Sequence, residues 1–432
     1  MAVKNRYYFV DNRNSCSFCK EPRPGNLFEK VRPASPGRAR YLTIMNTPIC
    51  PLTSRREFIK TSAAAALGGA LLCDAAPPAR VGLPGGSSAA EKTVKAFYDS
   101  LTEEQKKEVC FDWDYRVDIK YGRKPLTIPD PSGILLRAHV SNAWLITRQL
   151  IGSPFYTDDQ RELIVEILKA ILNPGWPEKL MQQAEDDTGL PWGGDQSLAI
   201  FGAPGSSKFQ CVITGFHLTV RAGSDPDTHA AFGGAICHGH QPSGFYEKVG
   251  HPGNIFWHQA QNANKVYQIL DGKQRTKALF AGPVPYFLPP GVTDTPANRK
   301  LIDRGLIRSG AARDDTREAE IRFRESSQIP GLPIAGMSPD QKGAVQNVLQ
   351  SLVEPYRPEY QEQVFAALKK QGGIEACNLT FYQQHDLGDD GEWDNWRLEG
   401  PSFVWYFRGA PHVHIWIHVA DDPSAPVSAY FG

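Results

Sequence analysis

The sequence predicts an α+β fold, an antiparallel sheet region with surrounding capped helices. Helix starts recur with one local grammar, and strand-like stretches gather between and after the helices instead of alternating with them one by one. No G-x-x-x-x-G-K-S/T loop, dinucleotide fingerprint or G-x-S-x-G elbow occurs, which disfavours kinase, dehydrogenase and esterase chemistry. With 432 residues, 41% hydrophobic and 22% charged, the chain can bury a core and is not wholesale disordered.

The helices carry the clearest local signal. Thr102-Glu103-Glu104-Gln105, Thr157-Asp158-Asp159-Gln160 and Ser338-Pro339-Asp340-Gln341 read as capping boxes, and Asp271-Gly272-Lys273-Gln274 is a looser version of the same start. In each, the first side chain accepts a backbone N–H three residues on, while the Gln side chain reaches back to the cap. Leu101, Tyr156, Met337 and Leu270 precede them as hydrophobic staples. Helices are expected at 91–98, 103–110, 158–172, 177–187, 255–269, 273–280, 339–353 and 358–371. In the third of these, Ile164, Leu168, Ile171 and Leu172 form an apolar stripe. Strands are expected at 195–202, 208–221, 229–238, 376–384, 395–408 and 411–420. The proline-rich and charge-rich 280–335 region reads as loop plus a solvated helix.

The ends of the chain differ in charge. The formal net charge is zero, yet residues 74–432 hold 43 acidic against 35 basic residues. So acidic a body does not suit phosphate backbones, and nucleic acid is excluded as a partner. Upstream, Ser54-Arg55-Arg56-Glu57-Phe58-Ile59-Lys60 precedes an Ala/Gly/Leu run from Thr61 to Leu72, with small residues at Ala75 and Ala76. This pattern reads as a twin-arginine export signal spanning 45–76, with the twin-arginine export machinery as partner and a periplasmic or secreted destination. Its apolar run of about a dozen residues is too short to span a ~30 Å bilayer, so no transmembrane span is expected. Residues 1–44 read as a misassigned upstream segment with Met45 as the start, 77–90 as a Pro/Gly/Ser linker, and 91–432 as the body. Cys16-Ser17-Phe18-Cys19 then falls outside the mature protein. The oxidising destination permits disulfides among Cys110, Cys211, Cys237 and Cys377 without requiring them.

The histidines point to chemistry. Ten of eleven lie beyond Ile200, and several cluster. In Pro411-His412-Val413-His414-Ile415-Trp416-Ile417-His418-Val419, strand alternation puts Val413, Ile415, Ile417 and Val419 on one face and the histidines with Trp416 on the other. Cys237-His238-Gly239-His240 repeats the H-x-H spacing, and His217 lies in a third strand-like stretch. An isolated strand histidine is ordinarily a hydrogen-bonded, half-buried residue. Two H-x-H pairs and a third strand histidine together weigh evenly between that reading and a ligand set for zinc, copper or iron. A cupin match is rejected, because Glu247 follows His240 by seven residues, further than that motif allows.

In Gly215-Phe216-His217-Leu218-Thr219, in Leu270-Asp271-Gly272-Lys273-Gln274-Arg275-Thr276-Lys277-Ala278, and in Arg397-Leu398-Glu399-Gly400-Pro401-Ser402 followed by His412-Val413-His414, the chain resembles the secreted bacterial proteins grouped as DUF3500. The resemblance covers roughly residues 90–432. It implies an architecture and a location, and no activity. Members typically carry a double histidine where this chain has Phe216-His217, so only His217 carries over, and His418 stands where an arginine usually follows the terminal histidines.

The leading expectation is an exported protein binding a transition metal ion (zinc, copper or iron) through His217, His412 and His414. His238 and His240 form an alternative or second site, Glu247 is the candidate acid–base residue, and a metal-dependent hydrolase or oxidase is the activity class in view. The alternative is a non-catalytic envelope module that binds a glycan or peptide by stacking on Trp393, Trp396, Trp405 and Trp416. On either reading the ligand is an unidentified small molecule or glycan.

Overall fold

A computed structural model describes residues 88–117, 129–223, 225–227, 229–241, 253–281, 321, 323–324, 326–383, 386, 390–409 and 413–430. All lie in one unit, Gly86–Gly432. Most of the 280–335 region, including its expected helix, lies outside the described residues.

All eight expected helices are present, each within two residues of its expected ends: α1 (Ala89–Ser100), α2 (Glu103–Val109), α3 (Asp158–Ile171), α4 (Trp176–Thr188), α5 (Trp257–Gln268), α6 (Gly272–Ala278), α7 (Pro339–Val353) and α8 (Pro358–Lys370). The four expected capping boxes form, and a fifth, Ser88 with Glu91, opens α1. Leu101, Tyr156, Leu270 and Met337 are buried, as staples should be.

The strands of the first half are β1 (Cys110–Phe111), β2 (Arg116–Val117), β3 (Ile134–Leu135), β4 (His139–Ser141), β5 (Gln196–Gly202), β6 (Phe209–Gly215), β7 (Leu218–Gly223) and β8 (Ile236–His240). Those of the second half are β9 (Leu279–Phe280), β10 (Leu332–Pro333), β11 (Asn378–Tyr382), β12 (Asn395–Gly400), β13 (Phe403–Arg408), β14 (Val413–Val419) and β15 (Ser428–Tyr430). Eleven of them form one sheet in the order β1-β5-β6-β7-β8-β14-β13-β12-β11-β10, with β9 also on β11. The α+β class holds, but the sheet is mixed rather than antiparallel throughout: β1 runs parallel to β5 and β9 parallel to β11. Each of these short strands follows a short helix, and a helical pair lies between it and its parallel neighbour, the crossover that parallel pairing needs. Two expected single strands, 208–221 and 395–408, are hairpins turned at 216–217 and 401–402.

The chain repeats one order of elements. A helix and a short capped helix lead to a two-residue strand, then two longer helices precede a four-stranded antiparallel meander (α1-α2-β1-α3-α4-β5 to β8, then α5-α6-β9-α7-α8-β11 to β14). The capping glutamines show the same repeat. Gln105 and Gln160 exchange side-chain amide bonds at 2.9 and 3.0 Å, and Gln274 and Gln341 do so at 3.0 and 2.7 Å. The meanders meet along the antiparallel seam of β8 and β14, where Ile236 pairs with Ile417.

The eight described helices pack on one face of the sheet. Val413, Ile415, Ile417 and Val419 point there with Ile213, Leu398 and Trp405, each at most 2% exposed. Burying a Val or Ile side chain contributes about 1.5–3 kcal/mol, so a one-residue slip of β14 would forfeit several such terms. The opposite face carries a smaller apolar cluster around Tyr406 and Trp416, interspersed with the buried polar residues Arg221, Arg397, Glu399 and His418. Among the described residues Cys110, Cys211, Cys237 and Cys377 form no disulfide. Among the described residues no helix is long and apolar enough to cross a membrane.

Candidate functional site

At one end of the β8–β14 seam the hairpin of β6 and β7, the end of α4 and the start of β14 come together. α4 carries a proline in its first turn and stops at Gly189 in the left-handed conformation. Its last turn holds Asp187, a carboxylate at the negative end of the helix dipole. The Asp187 side chain is 0% exposed. An isolated charge there would be costly, so its partners decide whether the position is tolerable.

It has three. Oδ2 lies 2.5 Å from His217 Nδ1, Oδ1 lies 2.9 Å from His240 Nδ1, and the Gln241 backbone N–H donates to Oδ1 at 2.8 Å. Burial pushes the carboxyl upward, but the bonds and charges of His217 and His240 outweigh it and hold Asp187 at about 2. Burial also lowers the His217 imidazole, against the opposing pull of Asp187. An ionised carboxylate can only accept, so the His217 imidazole presents its Nδ1 as the N–H, while His240 Nδ1 lies within ion-pair distance of Oδ1 without the alignment of a hydrogen bond. Neither ring nitrogen of His240, a residue 1% exposed, meets a hydrogen-bond partner among the described residues, Asp187 standing only at ion-pair distance from Nδ1.

His217 reaches this position through strain. Gly215 and Leu218 close a two-residue hairpin, and His217 sits at φ 55°, a region non-glycine residues seldom occupy. Its N–H donates to Asn142 O at 2.5 Å, and its carbonyl accepts the Gly239 N–H at 3.0 Å. The imidazole then lies over Gly239. A Cβ on that residue would fall 2.9 Å from the ring and 2.7 Å from the Val413 carbonyl oxygen. The glycine inside Cys237-His238-Gly239-His240 is therefore the seat of the His217 ring. The Gln183 side-chain amide donates to the Gly239 carbonyl and fixes the strand end from α4.

His414 faces His217 with ring centroids 4.9 Å apart. Arg408, paired with it across β13 and β14, places Nη2 at 2.5 Å from His414 Nδ1. A guanidinium can only donate, so Nδ1 of His414 is its acceptor. The other ring nitrogen, Nε2, lies 3.4 Å from the Asn142 side-chain amide nitrogen, also a donor, so the ring is approached by donors on both sides.

Of the expected site residues, His217, His240 and His414 come together. His238 does not join them. It points to the helix face, where Nε2 lies 2.8 Å from the Tyr356 hydroxyl and the ring packs on Phe256, and burial lowers it to about 4. His412 and Glu247 lie outside the described residues. Trp396, Trp405 and Trp416 are at most 1% exposed and belong to the core, so they offer no stacking platform, and Trp393 is partly buried. Among the described residues no three His, Cys, Asp or Glu side chains form a group able to hold a metal ion. Sequence reasoning missed Asp187, Arg408 and Asn142. Only Asp187 left a trace, as an acidic residue in the wrong turn of an expected helix.

No curated protein and no solved structure matches the chain. Residues 86–419, most of the described body, match the model of the family described as protein of unknown function (DUF3500), and the chain belongs to that family.

Proposed function

We propose that this is an exported protein that binds a transition metal ion at the end of the β8–β14 seam, with His217 and His240 as the two imidazole ligands. The observation that carries the reading is Asp187, one carboxylate bonded to His217 Nδ1 through Oδ2 and lying 2.9 Å from His240 Nδ1 through Oδ1. Histidine ligands characteristically donate their second N–H to a carboxylate, which fixes the tautomer and raises the basicity of the coordinating nitrogen. The buried Nε2 of His240, without a hydrogen-bond partner among the described residues, fits an ion in that place. Neutral imidazoles bind near pH 7 without a deprotonation cost. The third protein ligand is His412, two residues ahead of His414 in the chain, or His414 itself once its ring turns from Arg408. Zinc, copper and iron all suit imidazole. Such an ion acts as a Lewis acid or activates water, the chemistry of a metal-dependent hydrolase or oxidase. Export through the twin-arginine route, which passes folded proteins, is consistent with a metal loaded before translocation.

The test is expression of the full chain in a host with twin-arginine export, followed by elemental analysis of the exported protein. About one equivalent of metal is expected. His217→Ala and His240→Ala should each lose it, and Asp187→Asn should weaken binding by about 10–100-fold. His238→Phe, in the core beside Tyr356, should retain the metal. Stoichiometry near zero, or a full equivalent in the His217→Ala/His240→Ala double variant, overturns the proposal.

A further inference from the structure

Resting on that reading, we infer that Gln183 supplies a further ligand to the ion, its carboxamide oxygen, and that the set it joins takes a divalent cation in preference to copper(I). Gln183 and Asp187 stand four residues apart in α4 and share one face of its C-terminal half. Both reach the end of β8. Asp187 lies 2.9 Å from His240 Nδ1, and the Gln183 amide donates to the Gly239 carbonyl, on the peptide that leads into His240. That contact fixes which way round the carboxamide sits. A carbonyl oxygen can only accept, so Nε2 must face Gly239 and Oε1 must face away from it.

Oε1 is thereby committed to a place where, among the described residues, no donor meets it, in a side chain 4% exposed. A buried acceptor without a donor is costly, and native structures seldom keep one without a use. His240, 1% exposed, carries two ring nitrogens in the same condition, one of them a lone pair in either neutral tautomer. A helix and the strand end it grips thus hold buried lone pairs at adjoining residues, and one cation accounts for both. The carboxamide also adds a ligand of another type to a cluster in which, among the described residues, no three His, Cys, Asp or Glu side chains group together. Ligand type then sets the preference. Copper(I) favours thiolate and thioether sulfur, whereas carbonyl oxygen is a hard donor, so imidazole nitrogen with carboxamide oxygen suits a divalent ion such as zinc.

The experiment exchanges that oxygen for sulfur. The full chain, as wild type, Gln183→Met and Gln183→Leu, is titrated with zinc and, under anaerobic reducing conditions, with copper(I), each in competition with a chromophoric chelator. Both substitutions remove the amide that holds Gly239, so loss of anchoring alone would weaken the two ions alike in the two variants. A ligand role separates them. Zinc affinity should fall by about tenfold or more in both, while Gln183→Met should bind copper(I) more tightly than either Gln183→Leu or the wild type. Nitrogen-15 NMR of glutamine-labelled wild type needs no variant, since an ion on Oε1 draws electrons from the amide nitrogen and should shift a carboxamide signal when zinc is added. A zinc-to-copper(I) preference equal in Gln183→Met and Gln183→Leu, or zinc binding that moves no carboxamide signal, overturns the inference and leaves the histidine ligands standing. A wild type that binds neither ion overturns the metal reading itself, and this inference with it.

Discussion

The fold should be unusually sensitive to mild acid, because three histidines are buried in the neutral state. Burial is the main cause in each case, lowering His238 to about 4 and His139 and His418 to about 3, with Arg221 adding to the effect for the last two. In the unfolded chain each returns to about 6.5. A group whose folded pKa lies below its unfolded value binds its proton preferentially in the unfolded state. Its contribution is therefore intact above about pH 6.5 and is lost as the pH falls toward the folded value. Between pH 7 and pH 5 each of these histidines should withdraw about 2 kcal/mol, and the three together about 6 kcal/mol. That is comparable to the whole stability of many domains, about 5–15 kcal/mol.

The assay is urea unfolding followed by tryptophan fluorescence at pH 7, 6 and 5. His418 gives the control, since its ring lies flat on Phe323 at 4.3 Å and no side chain among the described residues hydrogen-bonds either ring nitrogen. His418→Phe should keep the stacking and remove one of the three titrations, so the variant should lose about 2 kcal/mol less than the wild type over the same interval. The Asp187 carboxylate cannot produce this signal. Its depressed pKa stabilises above its unfolded value near 4 and is lost only as the pH falls further, toward about 2. A urea midpoint that stays level from pH 7 to pH 5, or one that falls equally in His418→Phe, would refute the reasoning.

Other outcomes follow from the same contacts. Gly239→Ala should destabilise by about 1–3 kcal/mol and abolish metal binding, because the new methyl meets the Val413 carbonyl, which cannot yield, and the His217 ring; thermal melts and elemental analysis check both parts. Gln160→Ala should cost about 2 kcal/mol or more, since it breaks the Thr157 cap, the bond to Ser100 O and the pair with Gln105. Double-mutant cycles should show coupling within Gln105–Gln160 and within Gln274–Gln341, and additivity between Gln105 and Gln274; coupling across the halves would contradict the separate pairings.

The helices were legible because their signals are local. A capping box spans four residues and a helical stripe a few turns, so the sequence holds all the information the element needs. The hairpins were harder. Gly400-Pro401-Ser402 carries turn chemistry that the strand reading passed over, and Phe216-His217 carries almost none, because His217 occupies a left-handed position where a turn prefers Gly or Asn. The two-residue strands β1 and β9 left no periodicity to read. On the site, strand alternation correctly gave the apolar face of β14 and the opposite placement of His414. It could not tell that His238 would be held by Tyr356, 118 residues away in sequence, or that Asp187 would reach two histidines. These are long-range pairings, fixed only when the seam forms.

The repeated halves separate what folding requires from what is particular to the site. Capping boxes with paired glutamines occur in both halves, as expected of a device that closes helix ends. The hairpin turns differ. In the second half the turn is Pro401-Ser402, and the helix end reaches it through a neutral amide, Gln371 Oε1 accepting the Ser402 N–H at 2.7 Å. In the first half the corresponding reach is made by a buried carboxylate to a strained histidine. Both arrangements tie a helix end to a hairpin, so anchoring alone demands neither a charge nor a positive φ. The first half bears two costs that the second avoids, of order 1–3 kcal/mol for the backbone strain alone. A feature retained against such a cost, where a cheaper solution to the same structural problem stands in the same sheet, is most simply explained by what the His217 and His240 rings hold.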